Sequence, residues 1–138
     1  MPSDTTIHHA SGPFEVKLTP QPPESETTAL ARAAIDKQYH GDLEAASRGQ
    51  MLSALTGTKG SAGYVALEIV NGTLGGRTGT FVLQHSGTMD RGQPRLSVTV
   101  VPDSGTDELR GLSGSMNIRI EPGGKHFYDF DYQIEDAP

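Results

Sequence analysis

Residues 79–87 are rich in strand-forming residues, and a glycine closes this segment at each end. In an extended strand, successive side chains point to opposite faces of the sheet. Phe81, Leu83 and His85 therefore share one face, and the apolar row on that face ends in an imidazole. This period of two is typical of a β-strand with one buried face, and such a strand needs neighbours that cover the face.

Six segments carry strand patterns of this kind, separated by turns that contain glycine or proline. They are residues 12–19, 63–70, 78–87, 95–101, 112–120 and 126–132. Residues 74–77, Leu-Gly-Gly-Arg, are typical of a hairpin turn. The chain has 17 glycines and 9 prolines among its 138 residues, a composition that suits many short strands better than a helical bundle.

Residues 29–55 fit two interpretations. The alanine-rich start, residues 29–34, has strong helix propensity and favours two helices. Against this, residues 31–39 and 43–51 alternate on either side of a compact turn, and Gly49 interrupts the second half. These features favour a hairpin. The pattern alone leaves both interpretations open.

With this hairpin included, the chain has about eight antiparallel strands at even spacing. An open sheet of that size would leave unpaired edges, and closure removes them. We therefore predict an all-β fold, a closed antiparallel up-and-down β-barrel. Residues 12–138 are expected to form this single domain, and residues 1–11 a flexible N-terminal arm.

Composition excludes several classes of function. The formal net charge is −6, and no basic stripe is present to bind nucleic acid. No run of 18 apolar residues is present, so we expect no membrane partner, and the lack of a secretory signal predicts a cytoplasmic protein. The chain has no cysteine, and its five histidines form no His-x-His or His-Glu-x-x-His motif, so no metal site and no cofactor are predicted.

Several motifs resemble those of one family of small bacterial proteins, the domain of unknown function 3224. They are residues 14–17, 35–43, 60–68, 79–89 and 111–116, and the resemblance extends from about residue 12 to residue 132. The family's fold is similar to the allene oxide cyclase barrel, which implies that residues 29–55 form a strand pair. The resemblance implies no activity. The catalytic residues of allene oxide cyclases and polyketide cyclases have no match here, so that link concerns the fold alone.

Glu68 and His85 are the candidate catalytic residues. A hairpin turn at Gly75-Gly76 would place Glu68 opposite Leu83, and the two candidates would become diagonal neighbours on one face. A carboxylate beside an imidazole can act as a general acid–base pair. The alternatives are a polar pair that only fixes the strand register, or a face that points to solvent.

Eight further residues are candidate ligand-binding residues, because they are aromatic, apolar or basic and share a strand face with the site or with one another. They are Lys37, Tyr39, Tyr64, Phe81, Leu83, Tyr128, Phe130 and Tyr132. The aromatic row in the last strand could stack on a planar ligand or could simply be core. Lys37 is expected to extend to the barrel rim with its ammonium in water.

Two functions are compatible with these residues. The first is a barrel that binds a small hydrophobic or aromatic molecule in its interior. The alternative is a cyclase or isomerase in which Glu68 and His85 move a proton. The barrel exterior is also compatible with an interface between copies of the chain, as in a homo-oligomer.

Overall fold

A closed eight-stranded barrel forms the domain in the computed structural model, which describes residues 6–22 and 30–135. The strands are β1 (His8–Gln21), β2 (Leu30–Tyr39), β3 (Leu43–Leu55), β4 (Ala62–Leu74), β5 (Arg77–Asp90), β6 (Gln93–Val100), β7 (Leu112–Glu121) and β8 (Lys125–Ile134). Each strand pairs antiparallel with the next, and β8 pairs with β1. The predicted all-β, up-and-down barrel is confirmed. No helix within the described ranges is long and apolar enough to cross a membrane.

The ambiguous segment forms the β2–β3 hairpin, so its helical interpretation is wrong. In the hairpin register Tyr39 pairs with Ala45 and Ile35 with Gly49. Tyr39, Ala45 and Ile35 are buried on the inner face. Burial of this alternating row outweighs the helix propensity of the alanines, which is a weak preference when tertiary contacts oppose it.

The first strand begins at His8 and not at Gly12. Residues 8–11 pair with β8, where Ala10 lies opposite Phe130 and is 1% exposed. This pairing closes the barrel. The paired residues are more than 100 positions apart in the sequence, so no local sequence pattern predicts the pairing. The part of the predicted arm before residue 6 lies outside the described residues.

The β4–β5 turn has the predicted form. Gly75 and Gly76 have φ angles of 55° and 86°, as a type I′ hairpin turn requires. The resulting register places Ala66 opposite His85 and Glu68 opposite Leu83. The inner face of this hairpin therefore carries the predicted polar pair.

The two ends of the barrel differ in how they are filled. At the end that holds the β2–β3, β4–β5 and β6–β7 connections, four leucines close the interior and are 0–3% exposed: Leu43, Leu74, Leu109 and Leu112. At the opposite end, five apolar side chains continue the inward-facing rows but remain 40–81% exposed: Leu18, Leu55, Met89, Leu96 and Ile120. We call these the closed end and the open end.

Candidate functional site

Glu68 lies on the inner face of the barrel near the middle of β4, and its side chain is fully buried. It pairs with Gly49 on β3 and with Leu83 on β5. A Cβ atom at position 49 would lie only 2.7 Å from the Cα of Glu68. Glycine at this position therefore allows β3 to pack closely against β4 beside the carboxylate.

The Glu68 carboxylate accepts two hydrogen bonds on each oxygen. Its Oε1 accepts from the Tyr39 hydroxyl and, at 2.9 Å, from the Ser47 hydroxyl. Its Oε2 lies 2.8 Å from the Lys37 ammonium and 2.6 Å from Nε2 of His85. We call these five residues the Glu68 cluster. The cluster joins β2, β3, β4 and β5 through one side chain.

Lys37 points inward, which corrects the prediction that it extends to the rim. Its side chain is 6% exposed and forms an ion pair with Glu68. The ammonium also lies 5.2 Å from the centre of the Phe14 ring. Because a buried carboxylate and an aromatic face both attract a cation, the interior holds this lysine more strongly than the rim does.

His85 connects the Glu68 cluster to the open end. While its Nε2 faces Glu68, its Nδ1 lies 3.4 Å from the Tyr64 hydroxyl. Tyr64 is half-buried and lies across from Gly87, where a Cβ would overlap the tyrosine ring. Glycine at position 87 therefore lets the ring lie against β5 next to the imidazole.

The electrostatics of the cluster favour an ionised Glu68. Burial alone would raise the pKa of Glu68, but the hydrogen bond from His85 and the charge of Lys37 outweigh burial and lower the pKa to about 2. Burial, followed by the nearby Glu68 charge, raises the pKa of Tyr39 well above its ordinary value. At neutral pH the cluster therefore contains a carboxylate that accepts and a tyrosine hydroxyl that donates.

The predicted ligand-binding residues divide into two groups. Lys37 and Tyr39 belong to the Glu68 cluster, and Tyr64 lies at its edge towards the open end. The remaining five are 0–8% exposed and pack in the hydrophobic core: Phe81, Leu83, Tyr128, Phe130 and Tyr132. Their contacts with each other, such as the stacked rings of Phe81 and Phe130, fill the barrel interior.

Tyr128 has a polar contact that fastens the β2–β3 turn. Its hydroxyl donates to the His40 carbonyl oxygen at 2.7 Å and accepts from the Leu43 amide at 2.9 Å. Burial raises the pKa of Tyr128 to about 12, so the hydroxyl keeps its proton. This contact gives Tyr128 a structural role in the present arrangement.

Sequence reasoning missed Ser47 and the apolar residues of the open end. Ser47 lies in the alternating row of β3, opposite Lys37, so the hairpin register could have placed it inside. The half-exposed state of Leu18 or Leu96 has no sequence signal, because both continue ordinary inward-facing rows. Among the described residues, no group of three or more histidine, aspartate or glutamate side chains is arranged to hold a metal ion.

Comparison with known proteins shows which family the chain belongs to. The family model described as "Protein of unknown function (DUF3224)" matches residues 10–132. A crystal structure of a protein with unknown function from the same family, from Shewanella oneidensis MR-1, is 52% identical in sequence and superposes with a TM-score of 0.90. The match covers 96% of this chain and 100% of the Shewanella chain. No curated protein matches the chain. The chain therefore belongs to the DUF3224 family.

Proposed function

We propose that the barrel binds a small, largely apolar molecule at its open end. The observation that carries this proposal is the contrast between the two ends. Inward-facing leucines at the closed end are almost fully buried, whereas Leu18, Met89 and Leu96 are 40–50% exposed although they belong to the same inward-facing rows. Apolar side chains that converge on an opening gain free energy when a ligand covers them.

Polar side chains lie close to the exposed apolar side chains of the open end. Tyr64, Gly87 and Leu96 form one cross-strand row, and the next row towards the interior contains His85. A ligand that contacts Leu96 would therefore lie next to the Tyr64 hydroxyl. A mainly apolar cleft with a few convergent polar groups is the usual form of a small-molecule site. This site lies at the end of the barrel and not deep in its interior, the position predicted from the sequence, because aromatic side chains fill the interior.

A titration with naphthalene, followed by amide chemical shifts, tests this proposal. We expect the largest shifts at the open end, around Leu18, Tyr64 and Leu96. Leu96→Glu places a charge in the site and is expected to weaken binding by about tenfold or more. Ser97→Glu is the matched control, since Ser97 is exposed on the outer face of the same strand. Shifts elsewhere, or equal effects of the two substitutions, would contradict an open-end site.

A proton-transfer enzyme of the cyclase or isomerase type is a second candidate. The observation that favours it is the short Glu68–His85 hydrogen bond, which orients an imidazole beneath the open end. His85→Gln distinguishes the two functions. A pure binding site would lose about 1–2 kcal/mol of affinity at most, whereas an enzyme would lose turnover at similar affinity.

A further inference from the structure

The Glu68 carboxylate determines which nitrogen of His85 carries a proton. An ionised carboxylate accepts hydrogen bonds and cannot donate one. Since Glu68 Oε2 lies 2.6 Å from Nε2, the proton of this hydrogen bond belongs to Nε2. In the neutral imidazole the other nitrogen, Nδ1, then carries a lone pair and accepts.

This lone pair points away from Glu68 and towards Tyr64. Glu68 already has four partners, whereas Nδ1 faces the Tyr64 hydroxyl at 3.4 Å. Ordinary hydrogen bonds to a hydroxyl are several tenths of an ångström shorter, so this contact is weak and easily replaced. Tyr64 is half-buried and next to the open end, whereas the His85 side chain is 4% exposed behind it. A ligand hydroxyl therefore reaches Nδ1 by displacing the Tyr64 hydroxyl from it.

We propose that Nδ1 of His85 and the Tyr64 hydroxyl form the recognition pair for a ligand that carries a hydroxyl group on an apolar body. A ligand hydroxyl can donate to Nδ1 and accept from Tyr64 at the same time. A carboxylate only accepts, so it leaves Nδ1 without a donor, and an ammonium only donates, so it leaves the Tyr64 O–H without an acceptor. Glu68 acts as a positioning residue that fixes the imidazole. This inference rests on the proposed open-end site and names its ligand class.

The tautomer of His85 can be measured without any ligand. Long-range ¹H–¹⁵N correlation spectra of the wild type at alkaline pH, where an imidazole is ordinarily neutral, are expected to show a protonated Nε2 and a bare Nδ1. In Glu68→Gln, whose amide offers an N–H as well as an oxygen, both tautomers are expected. A proton on Nδ1 in the wild type would overturn the recognition pair, whether or not the variant folds.

Two matched probes then test the ligand class. We expect 2-naphthol to bind the wild type about tenfold more tightly than naphthalene. Tyr64→Phe is expected to reduce this preference to a few-fold. Tyr132→Phe, the same change in the buried core, is the control that retains it.

The outcomes separate this inference from the proposed function. Equal affinity for the two probes, or an unchanged preference in Tyr64→Phe, overturns the recognition pair while the open-end site stands. If neither probe binds, both proposals are contradicted.

The outside of the barrel carries a mostly uncharged patch on three neighbouring strands. Five consecutive cross-strand rows of outward side chains on β3, β4 and β5 are largely uncharged. They are Ala46, Arg48, Gln50, Leu52, Ala54, Val65, Leu67, Ile69, Asn71, Thr80, Val82, Gln84, Ser86 and Thr88. Arg48 is the only charged residue in this set. Its guanidinium lies 3.8 Å from Asp36 on β2, at the side of the apolar rows. We call this set the outer face.

The outer face is both apolar and concave. Leu52, Val65, Leu67 and Ile69 are 42–59% exposed and line a groove of about 1050 Å³. The opposite side of the barrel is different, because its outward residues include eight that are charged or titratable: His9, Glu15, Lys17, Arg119, Glu121, Lys125, Asp129 and Asp131. Exposed apolar patches of this kind on a small protein mark contact surfaces.

We infer that a second copy of this chain covers the outer face. Five rows on these three strands span about 500 Å², and the flanking strands β2 and β6 extend this area to the order of 800 Å² that each partner buries in a stable dimer. The outer face itself carries one charged residue, and Arg32, Asp36 and Arg95 on the flanking strands lie at its margin. A charged margin around an apolar centre is compatible with a two-fold interface between copies.

The oligomeric state tests this interface. Sedimentation at micromolar concentrations is expected to give twice the chain mass of 14.7 kDa. Leu67→Glu, at the centre of the face, is expected to give a folded monomer. Ser113→Glu adds the same charge to an exposed position on β7 and should leave the dimer intact. A monomeric wild type, or a Leu67→Glu dimer, would overturn the interface.

Discussion

Glu68→Gln is expected to lower the free energy of unfolding by about 3–5 kcal/mol. Glutamine keeps the size of the side chain but leaves the Lys37 ammonium, which is 6% exposed, without a counter-charge. An unpaired buried charge is costly because the protein interior does not replace the hydration that the ion has lost. Urea denaturation of wild type and variant at neutral pH measures the difference.

Two further variants separate this effect from simple loss of a contact. In the double variant Lys37→Met and Glu68→Gln, no ammonium is buried, so we expect it to be more stable than Glu68→Gln alone. Glu121→Gln breaks a surface ion pair of 2.7 Å with Arg119, in which both side chains are nearly half exposed. That control should change stability by about 1 kcal/mol at most. If Glu68→Gln costs no more than this control, the buried pair is not the stabilising contact described here.

Acid is expected to destabilise the barrel through the same carboxylate. The pKa of Glu68 is about 2 in the folded protein, against an ordinary value of 4.5. Because the folded state binds this proton less tightly, the ionised group stabilises fully above pH 4.5. That stabilisation is lost as the pH falls through about 2, and amounts to about 3 kcal/mol. Urea denaturation at a series of pH values across this window measures it.

Other carboxylates titrate in the same range, so the informative quantity is the difference between wild type and Glu68→Gln. We expect the two stability curves to converge as the pH falls from about 4.5 towards about 2. Glu15→Gln serves as a control, because the Glu15 side chain is 77% exposed. Parallel curves for wild type and Glu68→Gln would show that Glu68 has an ordinary pKa in the folded state.

The sequence predicted those parts of the structure that local rules determine. Alternation predicts a strand directly, and the Gly75-Gly76 turn fixes the register of β4 against β5. That register alone brings Glu68 and His85 together, so the central pair of the site could be predicted. Their functional role stays a prediction.

The rest of the site depends on contacts between distant segments. Lys37 meets Glu68 across the intervening strand β3, which requires two registers and the absence of a side chain at Gly49. The pairing of residues 8–11 with β8 likewise follows only from closure of the barrel. The apolar outer face was not foreseen, because a residue such as Leu67 lies within a mostly apolar strand whose two faces look alike in the sequence.

The carboxyl ¹³C chemical shift of Glu68, followed as a function of pH, tests the central claim most directly. If the buried carboxylate holds Lys37, Tyr39, Ser47 and His85, the resonance should keep its ionised position well below pH 4.5 and titrate only near pH 2. A midpoint at the ordinary value, in a protein that is still folded, would contradict an ionised carboxylate at the centre of the barrel.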